Sequence, residues 1–543
     1  MALPPSVRSF RAIGDHFLDE THRLFPQVGS QRGLAALDPE LGENDAATHE
    51  EYSDLLRSAL RAVESLPDFD FTGDDWLDRR GFLALLRTDL FLNATFPHWR
   101  INPQIHCSAA IESIFDLVIR QQDGLKTKLG AIESRLAKLP RFLDQGAACL
   151  RRPVPLWTKL ARQTCDGART FFEAIGGQLA TLSPQPKRAA TLIENAIAAL
   201  QRYAAAAEAK TPGPANGFSI GRENFEFLIR ERLGFAMSVD EAEAQGLALI
   251  EKLSGDLKAE AKTFGRGRTP AEILGAAAAR WQPATKLVAE YDRTTSDLRQ
   301  RFQNAGFATF PKGERCLVLP VPEFLRHSFP TAAYSQPGAF AKDQTGIFWV
   351  NNFAEDLPTG AKRDREIQQH FGVELTSAHE AYPGHHLQFV IQNQHPSRLR
   401  RLMHHAIGYE GWTLWCEKQA IELGIVAHPE ARLGQLHDAL WRAHRIVIDC
   451  GLHSGKLSYA AAAKRLQDGV GFTAARARGD VNWYTSSPTV PMSYLLGRLE
   501  NERLHAQLAD REGWTLKQFN DWLLQHGALP QRWLWEARLH TTV

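Results

Sequence analysis

Thr-Ser-Ala-His-Glu-Ala-Tyr-Pro-Gly-His-His-Leu-Gln, residues 376–388, is the stretch on which the fold and the chemistry of this chain depend. It places one carboxylate and three imidazoles within a few residues of one another. Imidazole and carboxylate groups are common zinc ligands in proteins. The stretch therefore predicts a metal site.

The spacing of the histidines differs from the common His-Glu-x-x-His zinc motif, in which the second histidine lies one helical turn after the first. Four positions after His379 stands Pro383, which cannot bind metal. On a regular helix a rise of roughly 10.5 Å over seven residues is too long for one zinc ion to span. We therefore expect Pro383 and Gly384 to bulge the helix and to return His385 or His386 to the face of His379, with His385 favoured.

A third ligand is predicted at Glu410, which lies 25 positions after His385 in a largely apolar stretch. A carboxylate from the next helix would complete a set of two histidines and one glutamate with an open fourth position. Gly411 beside it permits close approach of two backbones. Two other interpretations are open: Glu410 as a solvated helix residue, and the Pro-Gly step as a break between unrelated helices with exposed histidines.

Three motifs of this chain resemble those of the domain-of-unknown-function 885 family: His379-Glu380-x-x-Pro383-Gly384-His385-x-x-Gln388, Glu410-Gly411-Trp412 and Ser493-Tyr494-x-x-Gly497-Arg498. The resemblance extends from about Phe17 to the C-terminus. Members of that family are grouped with the gluzincin metallopeptidases. The resemblance implies a mainly helical, two-lobed fold with a deep cleft, similar to angiotensin-converting enzyme, and it favours His385 over His386 as the ligand.

The roles implied for these residues are those of a zinc hydrolase. Zn²⁺ held by His379, His385 and Glu410 would activate water, and Glu380 would act as the general base. Tyr494 and Arg498 lie four positions apart on a predicted helix, hence on one face, and are candidates for stabilising the developing oxyanion. The alternatives are a core tyrosine and an arginine in a helix salt bridge.

Composition excludes several other classes of protein. The formal net charge of +1 gives no electrostatic reason to expect nucleic acid or an anionic membrane as a partner. The N-terminal segment lacks the continuous apolar core of a signal peptide, and no stretch approaches the roughly 20 apolar residues of a membrane span. Six cysteines without Cys-x-x-Cys spacing fit a reducing compartment. We expect a cytoplasmic protein.

Helical periodicity dominates the chain, and 543 residues exceed a single core. We expect an N-terminal helical lobe over residues 1–210 and a catalytic lobe over residues 218–543. Capping boxes at Ser238 and Thr269 begin two further helices. Residues 316–321 and 346–351 predict short strands of a small sheet beside the metal site, whose edge could pair with an extended peptide near Tyr334 and Asn351.

The sequence thus predicts a zinc-dependent hydrolase of amide bonds, acting on short peptides or small amides. The alternative is a helical binding protein that has the fold without turnover. Side-chain preference, endo or exo cleavage and oligomeric state are not determined by these patterns.

Overall fold

The computed structural model describes residues 4–119, 124–265, 267–322 and 331–541. The chain divides into two compact units. The first unit comprises Met1–Phe71, Phe82–Phe218 and Gly338–Lys342, and the second comprises Thr72–Gly81, Ser219–Pro337 and Asp343–Val543. All the residues predicted to bind metal or to act in catalysis belong to the second unit.

The described part of the first unit is helical. Its helices are α1 (Pro5–Leu24), α2 (Pro26–Gln31), α3 (Ala46–Glu64), α4 (Gly73–Leu90, whose first residues belong to the second unit), α5 (His98–Ile101), α6 (Pro103–Ile119), α7 (Leu125–Cys149), α8 (Pro155–Leu182) and α9 (Pro186–Glu208).

The second unit combines helices with a small sheet. Its helices are α10 (Arg222–Leu228), α11 (Val239–Ala261), α12 (Pro270–Arg280), α13 (Leu287–Asn304), α14 (Ala361–Gln368), α15 (Val373–Glu380), α16 (His385–Gln392), α17 (Ala406–Glu422), α18 (Ala431–Ser454), α19 (Tyr459–Val470), α20 (Ala474–Ser486), α21 (Val490–Glu512), α22 (Leu516–Gln525) and α23 (Gln531–Thr541).

Local sequence explains where several helices begin. Pro155 and Pro186 stand at the first positions of α8 and α9, where a missing N–H costs nothing because that group has no partner within the helix. Ser238 and Thr269 accept hydrogen bonds from the N3 amides of α11 and α12, and the Glu at N3 reaches back in each case. Both predicted capping boxes are confirmed.

In the described part of the chain the sheet has three strands, β1 (Arg315–Pro320), β2 (Ala332–Ser335) and β3 (Thr345–Val350), in the order β1-β3-β2. β1 runs parallel to β3, with Arg315 opposite Thr345, and β2 runs antiparallel to β3, with Tyr334 opposite Phe348. The two strands predicted from sequence are confirmed, and β2 is an edge strand that the sequence did not predict. The mainly helical fold with a small sheet is confirmed as well.

The helices that carry the predicted site lie in the core of the second unit. α17 and α21 are buried around most of their circumference, including polar residues such as Thr413, Ser493 and Asn501. A helix that is buried on all sides belongs to the interior of a large domain or to a membrane. Among the described residues, none of the helices combines the length and the apolar composition needed to cross a bilayer.

Candidate metal centre

His379 and His385 lie on two short helices. α15 ends at Glu380 and α16 begins at His385, and residues 381–384 connect them. The predicted bulge within one helix is therefore wrong: the Pro-Gly step ends one helix, and a new helix begins after it. A break can turn the second helix freely, and the two imidazole rings meet nearly perpendicular with their centres 5.0 Å apart.

The connection between the helices has no room for a side chain at position 384. A Cβ on Gly384 would overlap the carbonyl oxygen of His379 and lie 2.5 Å from that of Ala378. The indole of Trp412, on α17, donates a hydrogen bond to the carbonyl of Pro383 over 2.9 Å. Glycine and this indole together fix the path between the two histidines.

Glu410, on α17, reaches both histidines. Its Oε2 lies 3.5 Å from Nε2 of His379 and 3.6 Å from Nε2 of His385. One ligand atom from each of the three residues can be chosen so that all lie within 4.8 Å of one another. We call these three residues the His379 cluster. All three are buried, so the interpretation of Glu410 as a solvated residue and of the histidines as exposed is wrong.

The donor atoms of the His379 cluster fit a zinc ion. Bonds of about 2.1 Å in tetrahedral geometry place neighbouring ligand atoms roughly 3.4 Å apart, close to the two distances to Glu410. Oε2 of Glu410 is buried and has no hydrogen-bond partner among the described residues. A buried carboxylate oxygen without a partner is costly, and a cation between the three side chains would remove that cost.

Charges around the two histidines also favour a cation. Burial lowers the pKa of His379, but the carboxylates of Glu410 and Glu417 outweigh this effect and raise the pKa to about 10. Burial lowers the pKa of His385 to about 4, which keeps that imidazole neutral. A neutral imidazole is the form that binds metal, so His385 is ready to bind, whereas an ion at His379 would replace the proton that the two carboxylates favour there.

Glu417 is a functional candidate that the sequence analysis missed. Its Oε1 lies 2.7 Å from Nδ1 of His379 and fixes the ring so that Nε2 points at Glu410. A carboxylate behind a ligating histidine orients the ring and increases its basicity. The missed signal is its spacing, because Glu417 follows Glu410 by seven residues, two turns along the same helix face.

Glu380 follows the first histidine and lines the cavities on both sides of it. Burial raises the pKa of its carboxyl to about 7. General bases and acids work best when their pKa lies close to the working pH. With this pKa, the carboxyl of Glu380 can exchange a proton near neutral pH beside the His379 cluster.

Tyr494, on α21, lies beside the His379 cluster as the third sequence motif suggested. Its ring stacks on that of His379 at 6.5 Å and borders the same cavity. Burial and the nearby Glu410 carboxylate raise the pKa of Tyr494, so its hydroxyl remains a proton donor. Arg445, which the sequence analysis did not consider, lies 4.6 Å above the Tyr494 ring.

Arg498 is not brought to the site. Its Nε lies 3.1 Å from Glu502 one turn further along α21, and the residue borders neither cavity beside Glu380. The helix salt bridge, which was the alternative interpretation, describes its contacts. Asn351 is likewise buried away from the site, where its side chain accepts a hydrogen bond from the amide of Phe353.

Gly411, directly after Glu410, and Gly497, three residues after Tyr494, form a close backbone contact. A Cβ on Gly411 would lie 2.6 Å from Cα of Gly497, so α17 and α21 touch at the backbone. This contact brings Glu410 and Tyr494 to the same cavity. The role predicted for Gly411 is thus confirmed, with Gly497 as its partner.

His386 belongs to a separate set of contacts. Its Nε2 donates to Oε2 of Glu314 over 2.8 Å, and its Nδ1 accepts from the hydroxyl of Tyr334 over 2.9 Å. Glu314 also accepts from the hydroxyl of Tyr382 and from Arg299 over 2.7 Å. We call these five residues the Glu314 network. Both ring nitrogens of His386 are used, and neither faces the His379 cluster.

Two cavities meet at His379 and Glu380. The strand-side cavity, of about 310 Å³, is bordered by β2 through Ala332, Ala333 and Tyr334 and contains Glu410 and Tyr494. The helix-side cavity, of about 440 Å³, extends along α18 to Arg442 and Arg476. Because both cavities share His379 and Glu380, space extends from these residues to either side.

Solved structures of two other proteins have the same fold. One is a candidate lipoprotein of unknown function from Shewanella oneidensis, with a TM-score of 0.78, 18% identity and coverage of 98% of this chain and 100% of that one. The other is a candidate lipoprotein from Colwellia psychrerythraea, with a TM-score of 0.75, 18% identity and coverage of 99% of each chain. At this identity the likeness concerns the fold alone.

No curated protein matches the chain significantly. The sequence profile described as bacterial protein of unknown function, DUF885, matches residues 26–537, which is nearly the whole chain. The three motifs that suggested this family include the residues that meet around Glu410 and Gly497. The chain therefore belongs to the domain-of-unknown-function 885 family.

Proposed function

We propose that this protein is a zinc-dependent hydrolase of amide bonds in short peptides. The observation that supports the proposal most is the His379 cluster, in which two imidazoles and one carboxylate converge within 4.8 Å in a buried site. The likeness to gluzincin metallopeptidases is part of this proposal. A cytoplasmic location stays a prediction.

His379, His385 and Glu410 would hold the zinc ion, and Glu417 would orient His379. The ion would act as a Lewis acid, which lowers the pKa of water and polarises a substrate carbonyl. Glu380 accepts a proton from the attacking water and delivers it to the leaving amine, because its carboxyl borders the cavities on both sides of the cluster.

Tyr494 supplies the second element of the chemistry. Its phenol stays protonated and borders the strand-side cavity together with His385 and Glu410. A hydroxyl in that position can donate a hydrogen bond to the oxyanion that develops when the carbonyl is attacked. Arg498 has no part in this scheme, since it borders neither cavity.

The edge strand β2 supports a peptide as the substrate. Ala332, Ala333 and Tyr334 border the strand-side cavity, and within the described residues β2 is the last strand on that side of the sheet. An extended peptide can add to a sheet edge through main-chain hydrogen bonds. Cavities of about 310 and 440 Å³ have the size of small-molecule sites and suit short chains.

A digest of a short-peptide library by zinc-loaded protein, repeated with Glu380→Gln, tests the function. We expect about one zinc per chain in both proteins, and a turnover roughly 10²- to 10⁴-fold lower in the variant. Glu374→Gln, on the same helix and outside both cavities, serves as the matched control and should keep the wild-type rate.

Two outcomes would contradict the proposal. If the protein takes up no zinc after repletion, the proposed metal site is wrong. Zinc-loaded wild type that cleaves no peptide of the library would instead favour a binding protein that kept the fold without turnover.

A further inference from the structure

The helix-side cavity ends at an aromatic platform that carries arginines. The guanidinium carbon of Arg442 lies 4.2 Å from the centre of the Trp441 ring, and that of Arg476 lies 5.2 Å from the same ring. Arg476 also stacks on Phe472 at 3.8 Å. The indole N–H of Trp441 is fixed by a hydrogen bond to Asp480 over 3.0 Å. Stacking of this kind holds guanidinium groups in place before a ligand arrives.

Each of the two arginines has at least one donor without an acceptor, although NH1 of Arg442 donates to the carbonyl of Asp438 over 3.3 Å. Arg442 is 8% exposed, and its Nε has no hydrogen-bond partner among the described residues. Its NH1 contacts the Asp438 carboxylate over 3.4 Å. The guanidinium of Arg476 makes neither a hydrogen bond nor an ion pair within the described part of the chain. A buried Nε–H without an acceptor, as in Arg442, is costly unless a ligand supplies one, and the exposed Arg476 places a second guanidinium beside it.

The acidic groups that face this cavity are already paired, except one. Glu417 is bound to His379 over 2.7 Å, Glu430 lies 3.0 Å from Arg280, and Asp438 contacts Arg442. The exception is Glu380, next to the His379 cluster. At the far end, two lining guanidinium groups, those of Arg442 and Arg476, face one lining carboxylate, that of Asp438, whereas the end at the cluster holds the proton acceptor.

We propose that the helix-side cavity binds a carboxylate of the substrate through Arg442 and Arg476, so that the preferred peptides carry an anionic group on that side of the cleaved bond. The proposal rests on the function proposed above and specifies its substrate class. Guanidinium groups match the planar geometry of a carboxylate and can bind it with two parallel hydrogen bonds. The carboxylate is either the C-terminus of the peptide or an Asp or Glu side chain.

Binding to the inactive, zinc-loaded Glu380→Gln protein separates this proposal from turnover. Isothermal titration with three probes is sufficient: N-acetyl-trialanine with a free C-terminal carboxylate, its C-terminal amide, and the amide in which the central alanine is replaced by glutamate. We expect one of the two anionic probes to bind about 10- to 100-fold more tightly than the neutral amide, as expected for charged hydrogen bonds. Which anionic probe wins identifies the source of the carboxylate.

Arg476→Gln in the same background should remove this preference, and because Arg476 is exposed the variant is expected to fold. Arg478→Gln, which removes an equal charge two residues away on α20 and outside the cavity, should keep it. Arg442→Gln is the second variant, and circular dichroism checks its folding.

Equal binding of all three probes would overturn the proposal. So would an unchanged preference in Arg476→Gln, because the carboxylate would then be held elsewhere, for instance by the zinc ion. An equal loss in Arg478→Gln would reduce the effect to general surface charge and would overturn it as well.

Discussion

His385 and His386 are neighbours in the chain and differ completely in their surroundings. His385 faces the His379 cluster with its Nε2, and among the described residues neither its Nδ1 nor Oε2 of Glu410 has a hydrogen-bond partner. His386 faces the Glu314 network, where both of its ring nitrogens are bonded. Both histidines are buried. What distinguishes a candidate ligand from a structural histidine here is the completeness of its hydrogen bonding, which a sequence does not display.

The sharpest way to break this comparison is to remove each histidine in turn. His385→Ala should lower zinc affinity by more than about 100-fold, since even the loss of a group behind a ligand costs about 10- to 100-fold. His386→Ala should keep zinc affinity and lower the free energy of unfolding by about 1–3 kcal/mol, because Glu314 loses a partner in the core. Titration against a competing chelator and urea unfolding measure the two effects. Tight zinc binding by His385→Ala with loss in His386→Ala would reverse our assignment.

Acid should weaken the Glu314 network. Burial alone would raise the pKa of Glu314, but His386, Tyr382 and Arg299 lower it to about 2, and its side chain is 1% exposed. A lowered pKa in the folded state stabilises the protein above the ordinary value of 4.5, and this contribution is lost as the pH falls towards 2. The ionised Glu314 thereby contributes about 3 kcal/mol to the free energy of unfolding.

Unfolding by urea at pH 7 and at pH 3 should therefore show a smaller acid loss of stability in Glu314→Gln than in the wild type. The exposed Glu194 provides the control, and Glu194→Gln should follow the wild type. The same acid loss in Glu314→Gln and wild type would show that the network does not hold its carboxylate in the ionised form.

Glu417→Gln sharpens the comparison from the side of the His379 cluster. The amide keeps the size of the side chain but loses the charge that orients His379, so zinc affinity should fall by about 10- to 100-fold. The chelator titration measures this effect too. Glu422→Gln, five residues further along α17, should leave zinc affinity unchanged, and an equal loss in both variants would argue against a specific role of Glu417.

The smallest effect is expected at the edge of the Glu314 network. Tyr334→Phe removes the hydroxyl that donates to His386 and should lower the free energy of unfolding by about 1 kcal/mol, with zinc affinity unchanged. A Cβ at position 346 would lie 2.6 Å from Nδ1 of His386, so Gly346→Ala should disturb the same bond by a different route. Loss of zinc in Tyr334→Phe would show that the two regions are coupled.

The secondary structure was predictable where local chemistry decides it. Capping boxes at Ser238 and Thr269 act over three residues, and both mark helix starts. β2 was not predicted because its four residues are half-buried and show no alternation of apolar and polar positions. The prediction of a helix bulge was wrong because a single Pro-Gly step is compatible with both a helix bulge and a helix break, and the sequence does not distinguish them.

The site was predictable as far as its motifs reach. His379, His385, Glu410 and Tyr494 lie in three motifs, and the structure brings all four together. Arg445 contacts Tyr494 from another helix, and Glu314 binds the neighbouring His386 from a distant part of the chain, so only packing reveals them. Arg498 lies on the face of Tyr494 but one turn further along α21, where it pairs with Glu502 and borders neither cavity, and its motif does not show how far along the helix the cavity extends.

The backbone contact between Gly411 and Gly497 couples two motifs that are far apart in the sequence. A methyl group on either glycine would push α17 and α21 apart, so each substitution should move Glu410 away from Tyr494. Once one methyl group has opened the interface, a second one costs less, so the two sites are expected to be epistatic. Laboratory evolution of this protein should therefore find variants at these positions in pairs.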